Sequence, residues 1–328
     1  MAGPALRAHI YMRLRWLAVL LLGAAAPATS ADEPLDEVVV VGRYPGPPLW
    51  RVSNGANELW IFGTLSPIPK DMTWDSANVE RVLGEAESLL LPPGVSPKMP
   101  NPFKVFGLYR QARRLGRNAE RAALVDVLPV DLYQRYAILR DRYIEKDGGL
   151  EEQRPAVVAF RLYAEALDAT GLTSGEDIQE AIERIARRAH VERVDTEMKV
   201  TADALLEGAA ELSPEAELEC FATILSSVET DLAGQAARAR AWATGDIAAL
   251  RAFDYPDIRG DCLAFAASAE DLNQMIEDSA AQWLEAAERA LAAQPRTFAT
   301  LGIGDLVSPD GLLARLRERG YEVREPHR

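Results

Sequence analysis

Two short stretches at opposite ends of the chain follow the same order of features, and nearly everything between them is helical in pattern. Near the N-terminus, Leu59 to Leu65 is an apolar strand carrying Gly63; a Pro-rich loop, a helix from about Asp75 and a second strand from Ser88 to Leu91 follow. Near the C-terminus, Phe298 to Gly302 leads through Ser308-Pro309-Asp310-Gly311 into a helix from Leu312 to Arg319 and a short strand from Tyr321 to Val323. Each is a β-Gly-loop-α-β unit. Such a unit puts the residue three after the glycine near the carboxyl end of a strand, where open α/β sheets bind their ligands. The chain is therefore expected to be an α/β protein, its sheet split between two ends and separated by a long, mostly helical insertion at about residues 101–292. Ser66 and Asp305 occupy the marked positions.

Within the insertion, apolar residues return every three or four positions, the period of a helix with one buried face. Helices are expected near Phe103 to Leu115, Asp131 to Tyr143, Pro155 to Ala169, Glu176 to Ala189, Lys199 to Ala210, Pro214 to Thr244, Ile247 to Phe253 and Ala269 to Ala292. Glu192 to Asp195 is the one short strand expected among them. Asp147-Gly148-Gly149 and Gly171 to Gly175 have loop chemistry. Ahead of the first unit, Leu49 to Val52 and Glu58 to Phe62 form a hairpin around Asn54-Gly55, a pair suited to positive φ.

The segments Trp50-Arg51-Val52-Ser53, Leu59-Trp60-Ile61-Phe62-Gly63-Thr64, Glu85 to Leu91 and Gly311 to Val323 are similar to those of the TraB/GumN family, which is related to the TIKI metalloproteases. The tail, Gly311-Leu312-Leu313-Ala314-Arg315-Leu316 onward, is the most specific match. The resemblance implies a fold built from the two end units, with two Gly-x-x-His motifs and an acidic residue after the first helix holding a divalent metal. Here Ser66 stands for the first His, Asp305 for the second and Pro92 for the acidic residue. The family's Arg-Asn pair falls near Ser279 and Ala280, just before Trp283. The cleft positions carried over are Gly63, Thr64, Ser66, Pro92, Gly302 and Asp305. They imply no metal and no cofactor, and a binding or scaffolding protein that has lost catalysis. The alternative is a divergent metal-dependent hydrolase or peptidase using Asp305 with other oxygen donors such as Asp71 and Glu87, a set that suits Mg²⁺, Ca²⁺ or Mn²⁺ better than Zn²⁺.

Residues 1–31 have the order of a secretory signal: Arg13 and Arg15, an apolar run from Trp16 to Ala26, then small residues to Ala31. That run is shorter than the about 20 residues a membrane-spanning helix needs. Cleavage near Ala31 is expected, with Met1 or Met12 as the start, which implies a periplasmic or secreted location. Residues 32–48 read as an N-terminal strand and linker ending in Pro45-Gly46-Pro47-Pro48. The whole chain carries 36 basic and 50 acidic residues, net −14; without Arg7, Arg13 and Arg15, 33 remain against 50, net −17. Nucleic acid is thereby a poor partner. An envelope protein, a peptide or a glycan remains open, and integral membrane insertion is not expected after cleavage.

Cys220 and Cys262 are the two cysteines. An exported chain with an even count favours a disulfide between them, against two buried thiols. His190 closes a helix behind Arg187 and Arg188, where a cation suits the helix end, and has no nucleophile or orienting partner nearby in sequence. Arg110, Arg113, Arg114, Arg117 and Arg121 form a stripe at helical spacing. It is either a solvated face paired with the molecule's own carboxylates or a contact for an anionic glycan or phospholipid headgroup. Asp254, Asp257 and Asp261 match no calcium-loop spacing.

Overall fold

A computed structural model of the chain describes residues 46–98, 101–146, 148–173, 176–255, 262 and 269–326. The signal expected over residues 1–31, most of the linker at 32–48, and Asp257 and Asp261 lie outside the described residues.

The first hairpin joins β1 (Leu49–Ser53) to β2 (Glu58–Thr64). Its turn forms because Asn54 Oδ1 accepts from the backbone N–H groups of Ala56 and Asn57, at 3.1 and 2.9 Å, while Gly55 takes φ +95°. After β3 (Ile68–Pro69) come α1 (Ala77–Gly84), β4 (Ser88–Leu90) and β5 (Val95–Pro97). The insertion then runs through α2 (Pro102–Leu115), α3 (Leu124–Val127), α4 (Val130–Tyr143), α5 (Pro155–Ala169), β6 (Leu172–Thr173), α6 (Glu176–Ala189), β7 (Glu192–Val194) and β8 (Met198–Val200). It continues through α7 (Ala202–Glu211), α8 (Pro214–Thr230), α9 (Gln235–Ala243), α10 (Ile247–Leu250) and α11 (Ala269–Ala293). The chain closes with β9 (Arg296–Gly302), α12 (Ile303–Val307), α13 (Leu312–Glu318) and β10 (Glu322–Arg324).

Strands from both ends, joined by β7 from the insertion, make one six-stranded sheet, ordered β10-β1-β2-β9-β4-β7. The hairpin and β10 pair antiparallel, whereas β2, β9, β4 and β7 run parallel, so the protein is mixed α/β with a mixed central sheet. Thr297 to Leu301 of β9 are buried without a break. An unbroken buried run is what a parallel strand covered on both faces requires. The main core joins Trp50, Ile61, Phe62 and Phe298 of the sheet to Val82 and Leu83 of α1, Ile182 of α6, Trp242 of α9, Trp283 of α11 and Leu313 of α13. A second core lies within the insertion, where Tyr136, Leu162, Phe221 and Ile224 pack together with Cys220 and Cys262. Those two cysteines are at disulfide-bonding distance, with Cα atoms 4.6 Å apart.

Three expectations for the insertion need correction. The single helix expected from Pro214 to Thr244 is two helices: α8 ends at Thr230, whose Oγ1 donates to Ser226 O at 2.7 Å, and a 3-10 turn at Leu232–Gly234 follows. A side chain bonding back to its own helix offers the backbone an alternative to continuing. The helix expected from Lys199 begins at Ala202, where Thr201 Oγ1 accepts from Ala204 N–H as an N-cap. The residues before it form β8, paired in parallel with β5. Finally, the stretch read as loop at Gly171–Gly175 contains β6, which pairs antiparallel with β3. Strands of two or three residues are too short to show a period, so only their partners define them.

Candidate functional site

The parallel register decides where the cleft positions fall. Gly63 lies opposite Leu301 and Thr64 opposite Gly302 on β2 and β9, while Leu90 of β4 lies opposite Ala299 on the other side of β9. Ser66, Pro92 and Asp305 therefore follow the carboxyl ends of three adjacent strands. Glu87 does not join them. It precedes β4 at the amino end, where its N–H donates to Arg296 O at 3.0 Å and its carbonyl accepts from Glu192 N–H at 3.3 Å. As a metal ligand for this site it is at the wrong end of the sheet.

Each scaffold position has a local physical reason. Gly63 is needed for space: a Cβ there would stand 2.7 Å from Ile303 Cδ1, 3.1 Å from Leu306 Cδ1 and 3.1 Å from the Trp50 ring. Thr64 ties the two central strands, its Oγ1 donating to Leu301 O at 3.1 Å. Gly302 passes directly into α12, so Asp305 sits in the first turn of a short helix just past the carboxyl end of β9. The apolar pair Ile303 and Leu306, buried beneath β2 and β9, winds this turn. Ser66 and Asp305 are both exposed.

Asp305 stands in a field of charge. Arg315 of α13 is held above its ordinary value first by its hydrogen bond to Glu277, with the charges of Glu277, Asp305 and Asp310 adding and partial burial opposing. Its guanidinium reaches the Glu277 carboxylate at 3.0 and 3.3 Å. The backbone of Asp305 also packs against the start of α13: a Cβ on Gly311 would lie 2.3 Å from the Asp305 carbonyl oxygen and 2.9 Å from its carbon. Gly311 has φ −71°, open to any residue, so contact alone excludes a larger one. Gly311→Ala is expected to cost about 1–3 kcal/mol, since backbone on backbone cannot yield cheaply. Chemical denaturation checks this, and an unchanged midpoint would show that α13 does not start against Asp305.

Around the strand ends, the protein's own groups take up the polar capacity. Trp242 of α9, fully buried, donates its Nε1–H to the Gly63 carbonyl at 2.6 Å. Its ring meets Phe62 and Trp74 edge-on, with centroids 6.0 and 5.7 Å away. One turn earlier, the buried Arg238 lies against the rings of Phe253 and Tyr255, 5.6 and 5.3 Å from their centroids, and donates to Gln235 Oε1 at 3.3 Å. Burial pushes the Tyr255 phenol up to about 12, against the opposing charge of Arg238. Tyr255 donates to Leu250 O at 2.8 Å and its Cβ closes on Gly304. Beyond β4, Leu91 O accepts from Thr196 Oγ1 at 3.2 Å. Ser279 of α11, near which the resemblance places an Arg-Asn pair, is buried; its Oγ accepts from Gly94 N–H at 2.7 Å and donates to Gly94 O at 3.0 Å.

Trp242, Arg238, Tyr255 and the Ser279–Gly94 pair were missed by sequence reasoning. The one available signal was a lone Trp in an otherwise Ala- and Arg-rich helix, Gln235–Ala243.

One aromatic layer away, an open groove of about 720 Å³ runs between the Met72–Ser76 loop, Glu80 of α1 and the last turns of α6. Trp74 lines it while packing on Phe62 and Trp242, and Arg184, Arg187 and Arg188 form its cationic wall. Arg187 reaches Glu183 only at 3.7 Å; Arg184 and Arg188 have no ion pair among the described residues. His190 ends the same helix, exposed, with φ +58°.

The residues present do not fit the divalent metal that the resemblance implies. A zinc centre takes three or four N, S or carboxylate donors converging on the ion. Ser66, Pro92 and Asp305 offer one carboxylate, one hydroxyl and a side chain with no donor atom, and no group of three His, Cys, Asp or Glu side chains converges among the described residues. No helix among the described residues is long and apolar enough to cross a membrane.

No curated protein and no solved structure matches the chain significantly. The family model for TraB/PrgY/gumN, by contrast, matches residues 48–325, from the strand that opens the sheet to the one that closes it, and the chain belongs to that family.

Proposed function

We propose that the protein is an exported binding or scaffolding member of its family in the cell envelope, one that keeps the fold and has lost metal-dependent hydrolysis. The observation that carries this reading is the donor set after three adjacent parallel strands. Pro92 offers no ligand atom at all, and Ser66 and Asp305 leave a single carboxylate with a hydroxyl. The reading is also supported by a sheet whose central pair, β2 and β9, comes from the two ends of the chain. The polar capacity of the neighbouring backbone is already engaged by Trp242, Thr196 and Ser279. Binding would then use the groove beside Trp74, whose arginines suit carboxylate groups of a peptide or glycan.

The test is metal content together with peptide cleavage, measured on protein purified from the periplasmic or secreted fraction. The expected preparation begins near Asp32, carries no stoichiometric Zn²⁺ and cleaves no peptide in a metal-dependent way. The triple variant Ser66→His, Pro92→Glu and Asp305→His is expected to gain zinc affinity by calorimetric titration. It restores three ligands of types that zinc centres use. Wild-type protein holding one metal tightly, with cleavage abolished by chelator, would overturn the proposal and restore the oxygen-ligand hydrolase.

A further inference from the structure

Helix α2 stands outside both cores. None of its residues is buried, neither core cluster includes any of them, and it packs against α7, which contributes to neither core either. Its ends are nonetheless well made: Asn101 Oδ1 accepts from Phe103 N–H at 3.0 Å, Pro102 occupies the first turn, and Gly116 N–H donates to Ala112 O. The helix is therefore specified locally, while its outer face is left open. Phe103 is 95% exposed, Phe106 69% and Tyr109 56%. At steps of three and four residues these share one face with Arg110, Arg113 and Arg114. Arg110 lies over the Phe106 ring and Arg113 over the Tyr109 ring, each at 5.9 Å, so cations and aromatics alternate rather than segregate. From Ser88 to Ala119 the sequence has six cations, Lys98, Lys104, Arg110, Arg113, Arg114 and Arg117, and no acid.

We infer that α2 is a docking helix for an anionic phospholipid surface, a role separate from the groove beside Trp74. Charge complementarity chooses the occupant. The chain as a whole is net −14, which would repel such a surface, but screening confines charge effects to about 8–10 Å, so the acid-free helix governs contact. Shape points the same way. Phe103 and Phe106 project from a convex helix, and an aromatic ring that protrudes from its own fold enters a soft interfacial layer without needing a preformed pocket. Arginines interleaved with the rings then meet phosphates at the depth where headgroups give way to acyl chains. This is binding to a surface and not insertion across it.

Co-sedimentation of the full chain with vesicles tests the inference, using phosphatidylcholine alone and phosphatidylcholine with added phosphatidylglycerol, at low and high salt. The basic and apolar N-terminal run is the same in wild type and variants, so the differences between them report on α2. The expected result is retention on the anionic vesicles that weakens with salt. The variant Arg110→Ala/Arg113→Ala/Arg114→Ala is expected to lower partitioning about 100-fold, since each basic residue near an anionic surface contributes about fivefold and three are removed. The variant Phe103→Ala/Phe106→Ala is expected to lower it about tenfold at low and high salt alike, because ring burial is not screened. All five side chains are exposed, so neither variant disturbs packing. Equal retention of wild type and both variants would overturn the inference, as would no preference for anionic vesicles. A dimer by light scattering that both variants dissociate would instead make this face a contact between copies, and would equally overturn it.

Discussion

Trp242→Ala is expected to lower the free energy of unfolding by about 3–5 kcal/mol, the range for removing a fully buried large aromatic from a packed core. Two losses combine in that figure. The ring fills the space between Phe62 and Trp74, with centroids at 6.0 and 5.7 Å, so truncation leaves a cavity beside the first central strand. Its indole N–H also satisfies the Gly63 carbonyl at the end of β2, at 2.6 Å. An acceptor left buried and unpaired costs about 1–3 kcal/mol. Trp242→Phe separates the two, since it keeps most of the ring and loses the donor. Urea titrations that find Trp242→Phe as stable as wild type would mean that the hydrogen bond contributes nothing, and the deficit of the Ala variant would then be cavity alone.

The bond between Cys220 and Cys262 should have the next largest effect. It spans 42 residues of sequence. A loop of that length, on the chain-entropy account, gives about 4 kcal/mol of stabilisation as an upper figure, with about 2–4 kcal/mol usual. The effect should be local as well as global, because both cysteines belong to the second core with Tyr136 and Phe221. Cys220→Ser/Cys262→Ser is expected to melt at lower temperature, with early loss of protection in α5 and α8 by hydrogen exchange. Two free thiols in the denatured, oxidised wild type, or a double variant that melts with the wild type, would remove this bond from the account.

Much of the fold could be read from sequence wherever a pattern was long enough to repeat. Helices α5 and α6 begin and end where periodicity placed them, because Pro155 starts one and the amphipathic run from Glu176 to Ala189 fills the other. The two end units also announced themselves, since an apolar strand ending in glycine is a local signal. What stayed hidden was pairing across distance. β5 and β8 are three residues each, and their parallel partnership joins positions about 100 residues apart, Val95 to Met198. The same limit applied at the candidate site. Gly63 and Gly302 were visible as ends of strands, but that Trp242 would cap one carbonyl from 179 residues away was not. Ser279 was marked only as a replaced family position; its grip on Gly94, 185 residues distant, belongs to tertiary structure. Chemistry borne by side chains was legible, whereas the filling of space around it was not.

The pairing of β2 with β9 also sets an order of events. Glu58 lies opposite Arg296, so the middle of the sheet joins segments separated by most of the polypeptide. During synthesis, Leu59, Ile61 and Phe62 can find β1 within a few residues, but their other neighbour does not exist until nearly the last stretch has been made. Closing so long a loop is slow even where it is thermodynamically inexpensive, because the entropy must be lost before any contact forms. The helices of the insertion, with their own core of Tyr136, Leu162 and Phe221, meet no such delay. A nascent chain of this kind is half assembled in its interior while its sheet waits for the tail. Shortening it by its final thirty or so residues would remove most of β9 at the sheet's centre together with the edge strand β10.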